Sequence, residues 1–178
     1  DSVHTSAAVF DPDKLSWLNE HYIKNTPPEE LVPHLEPYLI SAGVLREGHG
    51  LGVAEIAKVI PSLNQRAKTL VEMAEKSAFY FKKEVEFDEK AKAKFLTAEA
   101  KPLLEKTIAG LSQLKNFSAE EIEELFKKVV EEEGVKLGKL AQPVRVALTG
   151  TTVSPGIYDV ILLLGKEETL ARLNNALT

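Results

Sequence analysis

The stretch QPVRVALTGTTVSPGIY at residues 142–158 contains one arginine among small apolar residues, followed by threonine, serine, proline and glycine without any carboxylate. The guanidinium of Arg145 offers five N–H donors and no acceptor, whereas the hydroxyl of Ser154 can both donate and accept. Such groups favour anionic or acceptor-rich ligands. No general base stands beside the hydroxyls, so the stretch predicts a binding site rather than a catalytic one.

Acidic residues are distributed unevenly along the chain. Asp and Glu number 27 in 178 residues, yet none occurs between residues 134 and 158 or between residues 56 and 71. Partly buried helices would explain these windows, because burial of an unpaired charge is unfavourable for either sign. An anion-facing surface would explain them too, and it also accounts for the retained cations. These cations are Lys58, Arg66, Lys68, Lys136, Lys139 and Arg145.

Composition excludes several classes of protein. A hydrophobic content of 44% over 178 residues is enough for one core or two small ones. The formal net charge of −5 argues against non-specific nucleic-acid binding, and no DNA partner is expected. The absence of cysteine is typical of a cytoplasmic protein and excludes thiolate metal sites. The four histidines lack the close spacing of a helical metal motif, so no metal site is predicted.

Membrane and secretory segments are not predicted. The longest apolar run, residues 158–164 around a single Asp159, is much shorter than the roughly 20 residues of a membrane helix. The amino terminus has no basic region followed by an apolar one. We therefore expect no membrane partner and no signal peptide.

Helical patterns extend along almost the whole chain, and no alternating strand pattern competes with them. Asp11 as N-cap and Pro12 in the first turn predict a helix to about Lys24. Four prolines in TPPEELVPHLEPYLISAG predict short helices, broken or started by proline and ending at Gly43. Pro61 is predicted to divide the next two helices. The fold class is therefore all-α.

The second half of the chain has clearer local signals. Pro102 is predicted to kink or restart a helix, and Ser118 with Glu121 is predicted to form a capping box. Gly150 is expected to cap one helix, and Ser154 with Pro155 to begin the next, leaving backbone N–H groups and a hydroxyl free. Three further helices are predicted over Leu137 to Leu148, Pro155 to Leu164 and Glu167 to Leu177.

The segment KSAFYFKKEVEFDE, residues 76–89, mixes aromatic residues with dense charge. It predicts a boundary between a helical subdomain of residues 1–78 and a second one of residues 79–178. The aromatic side chains are expected to form the seam where the two subdomains pack.

Catalytic motifs are missing from the sequence. It contains no G-x-S-x-G, no glycine-rich phosphate loop, no H-E-x-x-H and no spaced set of metal-binding carboxylates. The GHGLG sequence at residues 48–52 lacks the lysine and the preceding strand of a phosphate loop, so a turn is expected. No catalytic residue is predicted in this chain.

Two longer motifs carry a family resemblance. FDPDKLSWLNEHYI at residues 10–23 and GVKLGKLAQPVRVALTGTTVSPGIYDVILLLGKEETLARL at residues 134–173 closely resemble the C-terminal part of bacterial-type glutamyl-tRNA synthetases. The resemblance covers essentially the whole chain. It implies an anticodon-binding region of two packed helical subdomains, a helical cage, with the first subdomain on the tRNA-stem side.

The same resemblance implies a catalytic domain ahead of this region. Its His-Ile-Gly-His and Lys-Met-Ser-Lys-Ser type signatures do not occur in this sequence. The chain is therefore expected to be one part of an ATP-dependent glutamate–tRNA ligase and to be inactive alone. Its expected partners are the glutamate tRNA and that catalytic domain. ATP and magnesium would serve the full-length enzyme, with no cofactor in this chain.

The resemblance also implies site residues. Arg145, Ser154, Pro155 and Ile157 match positions that contact the splayed anticodon bases in the family. Arg66 matches a position that is associated with reading the third base, cytosine in the glutamate anticodon and guanine in the glutamine anticodon. An arginine there resembles the family members that charge only the glutamate tRNA.

Elementary chemistry agrees with these roles. The Watson–Crick edge of cytosine offers acceptors to a guanidinium, whereas guanine offers N–H donors at the matching positions. Ser154 suits a uracil edge, while Pro155 and Ile157 would give apolar surface to an unstacked base. Phosphate contacts, which position an RNA without specifying its sequence, are expected from the lysines. These lysines are Lys58, Lys68, Lys136 and Lys139.

Alternatives from other classes remain open. The chain could be a synthetase-derived helical paralogue, or a protein-interaction module, that does not read an anticodon. A hydrolase is disfavoured because no nucleophile is paired with a base.

Overall fold

The computed structural model describes residues 11–178, and within that range it is entirely helical, without strands. The predicted all-α class is therefore confirmed. None of the described helices is long and apolar enough to cross a membrane. The eleven helices of this range are α1 (Pro12–Asn25), α2 (Pro28–Ser41), α3 (Val53–Ala57), α4 (Ile60–Leu63), α5 (Leu70–Phe81), α6 (Glu89–Phe95), α7 (Lys101–Gln113), α8 (Ala119–Glu132), α9 (Leu137–Thr149), α10 (Ile157–Leu164) and α11 (Lys166–Asn175).

The buried side chains form two hydrophobic cores. The first core contains residues from Ile23 to Ala74, and the second contains residues from Leu103 to Leu173. Helix α5 borders both, because Tyr80 packs against the first core and its neighbour Phe79 packs against the second. The aromatic segment therefore lies between the two cores. This arrangement supports the division near residue 78, which stays a prediction.

Helix α1 begins as its local sequence indicates. The Asp11 carboxylate accepts hydrogen bonds from the backbone amides of Asp13 at 3.0 Å and Lys14 at 3.3 Å. These bonds satisfy two of the amides that have no partner inside the helix. The predicted start at Pro12 is confirmed, and the helix ends at Asn25. Phe10, which opens the first family motif, lies outside the described residues.

Helix α2 corrects the prediction of short, proline-broken helices, which is wrong. It runs without interruption from Pro28 to Ser41 and includes Pro33 and Pro37. These two prolines lie four residues apart on the exposed face, so the carbonyls that lose their donors are near solvent. Leu35 and Leu39 are fully buried on the other face, and their packing holds the helix together.

The helices around Pro61 also differ from the prediction. Pro61 does not divide two helices but lies in the first turn of the short helix α4, where proline is tolerated. The longer break lies at residues 64–69, between α4 and α5. It ends where the Thr69 hydroxyl accepts from the Glu72 amide at 3.1 Å and caps α5. Arg66 lies in this break.

The later local signals are mostly confirmed. Pro102 occupies the first turn of α7 and marks a restart after α6. The Ser118 hydroxyl accepts from the Glu121 amide at 3.2 Å and caps α8. The Glu121 carboxylate accepts from the backbone and side-chain amides of Asn116, so it caps that residue rather than Ser118. Only half of the predicted capping box is therefore formed.

Candidate functional site

The loop between α9 and α10 forms one wall of the site. Helix α9 ends at Gly150, whose φ of +79° is left-handed, and its amide donates to the Val146 carbonyl at 2.8 Å. The predicted cap at Gly150 is confirmed. The predicted helix entry at Ser154 and Pro155 is wrong, because α10 begins two residues after Pro155, at Ile157, with Gly156 as its N-cap. Ser154 instead lies within the loop, 9% exposed.

Ser154 holds the side chain of Arg145 in place. The Nε of Arg145 donates to Ser154 Oγ at 2.9 Å, and that hydroxyl donates to the Pro155 carbonyl at 2.8 Å. Within residues 11–178, the Arg145 side chain makes one hydrogen bond, through Nε. The donors of Nη1 and Nη2 are therefore available to a ligand. The arrangement orients a guanidinium before any ligand is bound.

A cavity of about 480 Å³ lies where the two cores meet. Leu63 and Arg66 line it from the side of the first core, and Thr149, Ser154 and Pro155 line it from the side of the second. Its volume is within the usual range for a small-molecule pocket. The structure thus brings Arg66, Ser154 and Pro155 together, with Arg145 bonded to Ser154.

Arg66 and Arg145 place two positive charges at this site. Partial burial, and then repulsion from Arg66, lower the pKa of the Arg145 guanidinium below its usual value. An arginine remains charged in proteins despite such a shift. Neither Arg66 nor Arg145 forms a salt bridge within residues 11–178. Both guanidiniums therefore keep N–H donors for acceptor groups of a ligand.

Carboxylates line the same cavity, which the acid-free windows of the sequence did not indicate. Glu75, Glu84 and Glu86 come from the segment between the two windows, and Glu86 pairs with Lys82 at 2.7 Å. They form no metal site, because in the described part of the chain no three His, Asp or Glu side chains converge suitably. A lining of mixed charge suits a ligand with both donors and acceptors, such as a nucleobase, better than a phosphate.

The apolar surface of the cavity differs from the predicted one. Ile157 is 6% exposed and belongs to the second core, so it does not line the cavity. Val153, by contrast, is 76% exposed and lines it together with Phe79. The sequence placed Phe79 in the aromatic seam but indicated a site role for neither residue. The one available signal was a valine standing alone among hydroxyl-bearing loop residues, with no helical periodicity that would bury it.

The four predicted phosphate-binding lysines are not gathered at this cavity. All of them are exposed, and none lines it. Lys136 is the N-cap of α9, nine residues before Arg145, which corresponds to about 13 Å along the helix. Lys58 borders a separate cavity beside Leu163. Their assignment to phosphates stays a prediction.

Comparison with known protein families identifies this arrangement. A family model described as an anticodon binding domain matches residues 30–177 of the chain. This chain belongs to the anticodon-binding domain family. The match includes both walls of the cavity and, apart from Ile23, both hydrophobic cores.

Relatives of this anticodon-binding domain are named glutamate–tRNA ligases. That of Syntrophobacter fumaroxidans is 48% identical over 177 residues, and that of Geotalea uraniireducens is 46% identical. Each match covers 99% of this chain but 37% of the relative. The chain therefore spans little more than a third of the length of these relatives.

Solved structures agree with the sequence comparison. A glutamate–tRNA ligase from Elizabethkingia meningosepticum superimposes with a TM-score of 0.81 at 28% identity, covering 94% of this chain and 32% of that one. The corresponding enzyme of Elizabethkingia anophelis gives a TM-score of 0.77. The resemblance inferred from the motifs at residues 10–23 and 134–173 is confirmed.

Proposed function

We propose that this domain recognises the anticodon of the glutamate tRNA for a catalytic domain of the same enzyme, an ATP-dependent glutamate–tRNA ligase. One observation carries the proposal: a single cavity between the two cores is lined by Arg66 and by the Ser154 that orients Arg145. ATP and magnesium would act in the catalytic domain. This chain supplies recognition and no chemical step.

Arg66 is proposed to read the third anticodon base. Its side chain is exposed, and within residues 11–178 it has no carboxylate partner. Lys76 donates to the Arg66 carbonyl and holds the backbone of the loop. The guanidinium can donate to N3 and O2 of cytosine. With guanine it would face N–H donors, and a contact of this kind is worth about 1–3 kcal/mol by analogy with base readout in duplexes.

Arg145 and Ser154 are proposed to bind a second base from the opposite wall. Arg145 has its Nη donors available, and the Ser154 hydroxyl retains acceptor capacity while it donates to Pro155. Val153, Pro155 and Phe79 offer apolar surface on which an unstacked base can lie. Ile157 supports this wall from the core instead of contacting the base.

The four exposed lysines, by this proposal, contact the tRNA backbone outside the cavity. Their positions away from it match that role, because phosphates of neighbouring nucleotides extend well beyond a single base pocket. Lys136 is the clearest example, since it lies about 13 Å from Arg145 along α9.

The substitution Arg66→Gln tests the proposal. Affinity of the chain is measured for the glutamate tRNA and for the same tRNA with guanine as third anticodon base. The unaltered chain should prefer cytosine, and Arg66→Gln should remove most of that preference while both RNAs still bind. The reason is that a glutamine amide presents both a donor and an acceptor, so it tolerates either edge.

Lys136→Ala is the matched control. It should weaken both tRNAs alike and reduce the slope of log affinity against log salt by about 0.7–0.9, because it removes one phosphate contact. Equal binding of the two tRNAs by the unaltered chain, or no binding of either, would instead favour the paralogue or the protein-interaction module.

A further inference from the structure

The side chain of Arg172, on helix α11, is almost completely enclosed. It is 4% exposed and makes four hydrogen bonds. Its Nε donates to the Glu168 carboxylate at 2.6 Å, and its other nitrogens donate to three backbone carbonyls. These carbonyls are Phe79 at 2.7 Å, Leu148 at 2.8 Å and Lys82 at 3.0 Å. The family motif at residues 134–173 contains this arginine, but no role is predicted for it from the sequence.

The three carbonyls belong to the carboxyl ends of two different helices. Phe79 and Lys82 lie at the end of α5, and Leu148 lies at the end of α9. The last carbonyls of a helix have no donor within it and carry the negative end of the helix dipole. One buried guanidinium therefore donates hydrogen bonds to carbonyls at both helix ends and joins α5 to α9.

Residues of this joint also line the cavity. They are Phe79 and Lys82, whose backbone carbonyls Arg172 holds. Thr149, the residue after Leu148, also lines it and leads into the loop that carries Ser154. At its other end α5 continues from the loop that carries Arg66. The separation of the two walls therefore depends on how α5 and α9 are joined.

We propose that Arg172 is a positioning residue, which holds the Arg66 wall and the Arg145–Ser154 wall at the separation that base discrimination requires. The proposal rests on the proposed function. Leu173, the next residue, is fully buried in the second core and anchors this part of α11. A lysine could not replace the arginine, because a single ammonium lacks the planar fork that reaches carbonyls on two helices.

The first measurement is the distance between the two cores. Spin labels are attached at Glu29→Cys on α2 and Lys128→Cys on α8, both of which are exposed positions. Because the chain contains no other cysteine, each label attaches only at its intended position. In the unaltered background we expect a narrow distance distribution. Arg172→Lys should broaden or shift it, whereas Glu168→Gln should not, because that change leaves the bonds to the three carbonyls intact.

The second measurement is the preference for cytosine over guanine as third anticodon base. Arg172→Lys should reduce it on the order of tenfold, since displaced walls lose their aligned contacts. The double variant Arg172→Lys with Arg66→Gln should discriminate no worse than Arg66→Gln alone, because both changes act on the same contact. Independent, additive losses in the double variant would overturn the inference.

Val129→Ala separates positioning from simple stabilisation. Val129 is buried in the second core, on α8, away from the joint. Its loss should lower the unfolding temperature and leave both the distance and the preference unchanged. If Arg172→Lys does only the same, the inference is overturned. Failure of the proposed function would appear in the unaltered chain as a lack of preference, whereas failure of this inference would appear only in the Arg172→Lys variant.

Discussion

The two arginines of the site are held in different ways, because Arg66 lines the cavity directly whereas Arg145 is connected to it through Ser154. Arg145 lies within helix α9, is partly buried, and has its Nε bonded to Ser154 at 2.9 Å. Arg66 lies in the loop between α4 and α5 with an exposed side chain, and only its backbone carbonyl is held, by Lys76. The Arg145 guanidinium is therefore oriented before a ligand binds, whereas the Arg66 side chain can adopt several rotamers.

This difference has an energetic consequence for binding. A side chain that is already ordered loses little conformational entropy when a ligand arrives, whereas a free arginine loses about 1–2 kcal/mol. Under the proposed function, the Arg145 wall mainly supplies affinity. The Arg66 wall supplies selection, because an exposed side chain engages only a base edge that offers it acceptors.

Gly150→Ala, at the end of the helix that carries Arg145, should cause the largest loss of stability. A Cβ at this left-handed position would lie 1.9 Å from the backbone oxygen of Glu86, and the Gly150 carbonyl accepts from the Asp88 amide at 2.9 Å. We expect a loss of about 3–5 kcal/mol in the free energy of unfolding, because neither backbone can yield cheaply.

Urea denaturation measures this loss, and Gly134→Ala is its control. Gly134 is also left-handed, with a φ of +62°, but a Cβ there would meet nothing within 4 Å. Only the conformational cost of about 1–2 kcal/mol should therefore appear. Similar losses in both variants would show that the contact with Glu86 is unimportant.

Arg145→Lys should lower the affinity for the tRNA without changing the preference between bases. A lysine ammonium cannot both bond Ser154 and present a fork of donors, so affinity for the glutamate tRNA should fall by about 1–3 kcal/mol. The preference between cytosine and guanine as third base should survive, the reverse of the pattern expected for Arg66→Gln. Filter binding with both tRNAs checks this result. Loss of preference together with affinity would mean that the walls do not act separately.

Tyr80→Phe should have a smaller effect, which is a change in how the free energy of unfolding depends on pH. The Tyr80 hydroxyl lies 3.1 Å from Ser62 Oγ and links α5 to α4, the helix before the Arg66 loop. Burial raises the pKa of Tyr80 from 10.0 to about 12. Because the unfolded chain releases this proton first, the stability contribution is fully present below about pH 10 and disappears as the pH rises to about 12.

The expected size of this contribution is about 1–2 kcal/mol, after allowance for the partial exposure of the ring. Comparison of the unaltered chain with Tyr80→Phe by urea denaturation at about pH 9 and about pH 11 isolates it, since other titrating groups are shared. A difference between the two proteins that stays constant with pH would contradict the assignment.

Sequence-based predictions succeeded where a signal lies close to its effect along the chain. Asp11, Pro102 and Gly150 act on backbone groups within one helical turn, and their roles were predicted correctly. Pro33 and Pro37 carry the opposite local signal, yet α2 continues through them. Their exposure, and the burial of leucines on the other face, depend on α5, which packs against α2 from more than 30 residues away.

The cavity illustrates the same limit. Arg66, Arg145, Ser154 and Pro155 were identifiable through their chemistry and through the family motifs. The sequence did not show that Val153 lines the cavity while Ile157 is buried in the second core. Helical spacing alone does not reveal which of these side chains the core accommodates. The carboxylates of Glu75, Glu84 and Glu86 lay outside both acid-free windows and were therefore overlooked.

The sequence by itself determined the helical class, most local helix signals and the family, since each depends on residues near one another along the chain. Only the tertiary structure decided that Arg66 and Ser154 share one cavity, and that Arg172 reaches Phe79 and Leu148. The physical reason is distance along the chain. These contacts join groups separated by 24 to 93 residues, and no local propensity encodes how two packed cores are oriented.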